Sequence, residues 1–95
     1  MSAAQKLVYE VIDTLNSDPS IETHIDKDPN FFLLDNASTI DSLTLVNLFV
    51  GIESLIEIRL GKTISIVNED SFTSDQHPFK NIGNLTNYIQ SLLDR

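Results

Sequence analysis

The chain contains no cysteine and no tryptophan, and it has only three glycines. Without cysteine it can form neither a disulfide bond nor a thiolate metal site. The three glycines do not have the spacing of a phosphate-binding loop, so the common nucleotide-binding motifs are excluded. Any reactive sulfur that this protein uses therefore has to be supplied by another molecule.

Basic residues are also scarce, with six against fourteen acidic residues among 95 and a net charge of −8. Nucleic-acid binding needs a basic face, so nucleic acid is excluded as a partner, and basic protein surfaces are favoured. The chain has no apolar stretch of membrane-spanning length, and its N-terminus lacks the pattern of a signal peptide. We therefore expect a single domain over residues 1–95, monomeric and cytoplasmic, with no stable membrane insertion.

Residues for a self-contained catalytic centre are missing. His24 and His77 are far apart in sequence and lie outside any zinc-binding spacing, so we expect both at the surface and no metal site. No histidine is placed to link Asp41 to Ser42 in a catalytic triad. We therefore expect no catalytic residues and no enzyme activity.

Apolar residues at a helical spacing predict three main helices, each with a capping residue at its start. The long connection between the first two helices has four apolar residues that we expect to anchor it. The predicted fold is all-α: a small antiparallel helical bundle of three main helices plus a short third helix, with a long first loop. The predicted segments are the helices Ser2–Leu15, Ser42–Leu60 and Ile82–Leu92, the short helix Asn68–Phe72, the extended connector Lys62–Val67, and the loop anchors Phe31, Phe32, Leu33 and Leu34.

The second helix has two apolar rows. The broad row fits the buried face of an amphipathic helix and comprises Leu45, Leu48, Phe49, Ile52, Leu55 and Ile56. The narrow row, Leu43, Val46 and Val50, flanks it. Spacing alone favours a widened core face for the narrow row, and an exposed partner-binding ridge is the alternative. Glu53 and Glu57, four residues apart, are more typical of a solvated acidic strip than of an acid–base pair.

The triplet Asp41-Ser42-Leu43 stands directly before this helix. Serine and aspartate are common helix caps because their oxygens accept hydrogen bonds from free backbone N–H groups. The upstream stretch Ser38–Asp41 also fits the spacing of a capping box. If Ser42 only caps the helix, replacing it with alanine should cost about 1 kcal/mol.

The whole arrangement resembles the acyl carrier protein family, including its peptidyl and D-alanyl carrier relatives. The resemblance covers about residues 5 to 93: a long first loop that ends in Asp41-Ser42-Leu43, an apolar second helix with acidic residues towards its end, a short third helix, and the closing segment Phe79–Ile89. That closing segment is similar to the family stretch Thr-Val-x-Asp-Leu-x-x-Tyr-Ile.

The resemblance implies that Ser42 carries 4′-phosphopantetheine, transferred from coenzyme A by a magnesium-dependent phosphopantetheinyl transferase. The thiol of this arm would hold acyl or aminoacyl groups as thioesters for loading and transfer enzymes. Asp41 and Leu43 would complete the attachment site. The residues implied to face partner enzymes are Leu43, Val46, Asn47, Val50, Glu53 and Glu57.

The chain departs from the family pattern at three places. Thr39-Ile40 stands where the family usually has glycine, and Asn47 and Ser54 stand where many members have glutamate. The stretch from Gly61 to Pro78 is also longer than in the fatty-acid carrier. These departures favour a specialised, discrete carrier that serves a dedicated lipid or secondary-metabolite pathway. The alternative is an unmodified carrier-like adaptor that binds a partner protein through the second helix.

Overall fold

Three helices form the regular structure in the computed structural model, which describes residues 2–21, 23–34, 40–68, 71 and 77–94. They are α1 (Ala3–Asn16), α2 (Ser42–Leu60) and α3 (Ile82–Leu93). Within these ranges there is no strand, only an isolated bridge between Phe32 and Asn81. The all-α prediction is therefore confirmed, and each predicted main helix agrees with the structure to within one residue at either end. Of the predicted short helix, only Asn68 and Ser71 lie among the described residues.

Each helix begins at a side chain that accepts a hydrogen bond from the first turn. Ser2 accepts from the Gln5 N–H in α1, and Asn81 accepts from the Asn84 N–H in α3. The α2 helix ends at Gly61, whose φ of 65° lies in the left-handed region that glycine adopts without strain. These local signals explain why the helix bounds follow directly from the residue types.

The buried side chains form one apolar cluster, in which α1 packs against both α2 and α3. Five of the six residues in the broad row of α2 are buried, and Leu55 is half-buried. The radius of gyration, 12.4 Å, is the value expected for a compact folded chain of this length. The fully buried large side chains of the three helices include Val8, Ile12, Leu48, Ile52, Ile56, Ile82, Leu85 and Ile89.

The long first loop is anchored at Ile25 and Leu33, which are almost completely buried. Phe31 packs partly against the core. The prediction for Phe32 and Leu34 was wrong, since these side chains are 38% and 58% exposed. Buried and exposed side chains alternate over residues 31–34, so only Phe31 and Leu33 of this stretch reach the core.

Polar contacts fix the same loop in place. The Asn16 side chain donates to the Ile25 carbonyl at 2.8 Å and accepts from the Ile25 N–H at 2.9 Å. Further along, the Leu33 N–H donates to the Lys80 carbonyl at 2.8 Å, just before α3. The loop is thus tied to the end of α1 and to the start of α3, and it returns the chain to the start of α2.

The segment that was predicted as an extended connector, Lys62–Val67, contains no strand, and its residues 66 and 67 lie in a bend. Its Ile66 side chain is completely buried, and the Ile66 N–H donates to a carboxylate oxygen of Glu53 at 3.0 Å. Phe79 also lies between the helices, with its ring centroid 5.0 Å from Phe49 of α2 and 6.4 Å from Tyr88 of α3. Irregular segments therefore supply part of the core.

Gly51 sets the approach of α1 to α2, because a Cβ added there would lie 2.8 Å from Val11 Cγ1. Alanine gains about 1 kcal/mol over glycine in a helix, but overpacking a core costs about 1–3 kcal/mol. We expect Gly51→Ala to lower the free energy of unfolding measured in urea. In a chain that already carries Val11→Ala, the same Gly51→Ala change should lower it less, because the clashing Cγ1 atom is absent. A Gly51→Ala protein that is more stable than the parent would contradict this packing argument.

No helix in the described part of the chain is both long and apolar enough to cross a membrane.

Candidate functional site

Asp41 caps the start of α2. Its Oδ1 accepts from the Thr44 N–H at 2.9 Å, and its backbone carbonyl accepts from the Leu45 N–H at 3.1 Å. A hydrogen bond from the Thr44 side chain, followed by the one from the Thr44 N–H, lowers the pKa of Asp41 below its ordinary value. Because a lowered pKa keeps the carboxylate ionised, the cap is present at neutral pH and is lost only as the pH falls through the lowered pKa of Asp41.

This geometry corrects the interpretation of Ser42 as the cap. Ser42 is the first helical residue, and the capping role belongs to Asp41. The capping pair joins Asp41 to Thr44, three residues later, whereas the predicted box at Ser38–Asp41 includes residues 38 and 39, which lie outside the described part. The expected cost of about 1 kcal/mol for Ser42→Ala therefore does not apply.

The Ser42 side chain is exposed at the start of α2. Among the described residues, no hydrogen bond engages the Ser42 hydroxyl or the backbone N–H groups of Ser42 and Leu43. Free N–H groups at a helix start, together with the helix dipole, favour a negatively charged group beside them. The site thus presents an accessible hydroxyl next to two backbone donors.

The narrow apolar row is exposed. Leu43, Val46 and Val50 are 69%, 52% and 54% accessible, so they do not widen the core face. The prediction from spacing alone was wrong here, and these residues form a ridge on the solvent side of α2, which we call the apolar ridge. Val46 of this ridge follows Ser42 by four residues, about one helical turn, so the free hydroxyl and the ridge lie on the same side of α2.

The polar residues expected beside the ridge differ in their surroundings. Glu57 is exposed, whereas Asn47 and Glu53 are half-buried. One carboxylate oxygen of Glu53 is bonded to the Ile66 N–H, so Glu53 has a structural role that the sequence did not predict. Whether Asn47, Glu53 and Glu57 contact a partner stays a prediction.

Thr44 is the site residue that sequence reasoning missed. It is only 3% exposed, although its two predecessors in the helix are exposed. The available signal was its spacing, because Asp41 and Thr44 stand three residues apart, as in a capping box.

The histidines lie where they were expected, at the surface. His77 is exposed, and His24 is 70% exposed with its Nε2 3.3 Å from Asp26. In the described ranges, no three His, Asp or Glu side chains come together as metal ligands would. The described surface around Ser42 therefore offers an exposed hydroxyl and an apolar ridge as its chemical features.

No family model, curated protein or solved structure matches this chain.

Proposed function

We propose that this protein is a carrier that holds acyl or aminoacyl groups on 4′-phosphopantetheine attached to Ser42. The observation that supports the proposal best is the exposed Ser42 hydroxyl at the start of α2, which no described residue engages. A transferase can reach such a hydroxyl without unfolding the chain.

The residues around Ser42 suit a phosphodiester. The hydroxyl oxygen would form a bond to the phosphorus on the pantetheine side of coenzyme A and lose its proton to a base of the transferase or to water. The P–O bond to the second phosphate breaks, and the nucleotide part of coenzyme A leaves with the bridging oxygen. The free N–H groups of Ser42 and Leu43 can then stabilise the anionic product. The Asp41 carboxylate accepts from Thr44, so part of its charge is compensated inside the protein.

The arm would supply a thiol for thioester chemistry, which the chain lacks because it has no cysteine. The protein's own residues would position the arm and present it to partner enzymes. The apolar ridge, together with a net charge of −8, suits partners with an apolar pocket and basic residues around it. We also propose that the helices form an acyl-carrier-like bundle and that the carrier serves a dedicated biosynthetic pathway.

An unmodified adaptor is the second candidate, because the exposed ridge would serve protein binding equally well without a modified serine. The two functions differ in one chemical respect, covalent addition at residue 42.

The test is modification of the purified protein by a broad-specificity phosphopantetheinyl transferase with coenzyme A and Mg²⁺, followed by intact-mass measurement and peptide mapping. We expect the mass of one phosphopantetheine group, located on the peptide that contains Ser42. No added mass, with a known carrier modified in parallel, would overturn the proposal and favour the adaptor.

The ridge can be tested separately with Val46→Asp. Because Val46 is 52% exposed, we expect the thermal midpoint to stay within a few degrees of the parent. A charge in an apolar contact is costly, so the KM of the transferase for this variant should rise about 10-fold or more.

Ser54→Asp is the matched control for Val46→Asp, since it adds the same charge at an exposed position of the same helix. Its KM should stay close to that of the parent. A large loss of thermal stability in Val46→Asp alone would instead show that Val46 contributes to the core.

A further inference from the structure

We propose that Asp41, through the hydrogen bond that it accepts from the Thr44 N–H, acts as a positioning residue for Ser42. The inference rests on the proposed function, because it concerns how the hydroxyl is presented for modification. Asp41 and Thr44 flank the Ser42-Leu43 step on either side, and the hydrogen bond between them closes the first turn of α2.

Asp41 stabilises this turn by accepting two hydrogen bonds. The Thr44 N–H donates to Asp41 Oδ1 at 2.9 Å, and the Leu45 N–H donates to the Asp41 carbonyl at 3.1 Å. Helix ends fray unless their first N–H groups find such partners. With the turn closed, the backbone of Ser42 is helical, and its side chain leaves the helix in a defined direction.

This hydrogen bond joins a buried residue to an exposed one. Thr44 is 3% exposed, whereas Asp41 is exposed. Thr44 is therefore held by the packing around it, and its N–H fixes the Asp41 carboxylate at the surface where Ser42 lies.

The Asp41 carboxylate could act in another way, as a charge that a transferase recognises. The two roles predict different results for Asp41→Asn. Asparagine caps a helix as well as aspartate does, but it carries no charge. Asp41→Ala removes both the acceptor and the charge.

The experiment measures kcat and KM for phosphopantetheine transfer from coenzyme A to the parent, to Asp41→Ala and to Asp41→Asn. For Asp41→Ala we expect kcat to fall roughly 5- to 30-fold, because a frayed turn misplaces the hydroxyl, while KM changes less than about 2-fold. Asp41→Asn keeps the capping acceptor, and its kcat should stay within about 3-fold of the parent value.

The outcomes separate this inference from the proposed function. A parent protein that is not modified at all overturns the proposed function and, with it, the positioning role. Normal kcat in Asp41→Ala, or an Asp41→Asn variant as slow as Asp41→Ala, overturns only the positioning role. Asp41 is exposed, so we expect both of its variants to fold.

Discussion

Replacing Ser42 with alanine is expected to abolish addition of the phosphopantetheine group while leaving the fold unchanged. Attachment requires the hydroxyl oxygen, and alanine has none. Stability should be preserved because Ser42 is exposed and because Asp41, not Ser42, accepts the capping hydrogen bond from Thr44. We expect the thermal midpoint to move by less than about 4 °C.

Intact mass after incubation with the transferase and coenzyme A measures the first part, and thermal unfolding followed by circular dichroism measures the second. Ser54→Ala is the matched control, since Ser54 is an exposed serine of the same helix. It should gain the same mass as the parent. Equal modification of the Ser42→Ala protein would show that another residue carries the group, and the assignment of Ser42 would be wrong.

The second large effect concerns stability. We expect Ile66→Ala to lower the free energy of unfolding by about 2–5 kcal/mol, because a completely buried isoleucine leaves a cavity when it is truncated. That is a large part of the 5–15 kcal/mol that is typical of a folded domain. Ile66 lies in the connector after α2, outside the helices, yet its side chain is as completely buried as those of the helical core residues.

Val67→Ala is the control for Ile66→Ala, since Val67 is the next residue in the chain and is 45% exposed. Its truncation should cost less than about 1 kcal/mol. Urea denaturation of both proteins gives the comparison. Similar losses for the two variants would show that the connector is not packed as the structure has it.

The helices were predictable because their signals are local. Ser2, Asn81 and Gly61 act within one turn of their own position, so the starts of α1 and α3 and the end of α2 could be derived from residue types. The core faces of α1 and α3 followed from spacing for the same reason. Apolar residues recur there every three or four positions with polar residues between them, so only one face of each helix is apolar enough to be buried.

The solvent side of α2 could not be predicted in this way. The helix is apolar nearly all round, so its spacing does not distinguish the face that packs on α1 from the apolar ridge. The accessible fractions of Leu43, Val46 and Val50 depend on where the neighbouring elements lie. The sequence also did not predict that Glu53 accepts a hydrogen bond from the Ile66 N–H, because that contact joins a helix to a separate connector.

By itself, the sequence determined the three helices, the caps of α1 and α3 and the absence of any thiol, because these properties depend on one residue or on neighbours within a turn. The structure decided which of two adjacent candidates, Asp41 or Ser42, caps α2, and it left the other with a free hydroxyl. It also decided that Thr44 is buried and the apolar ridge exposed. The buried face of α2 is set by elements far away in the chain, and the local pattern of this nearly all-apolar helix does not record it.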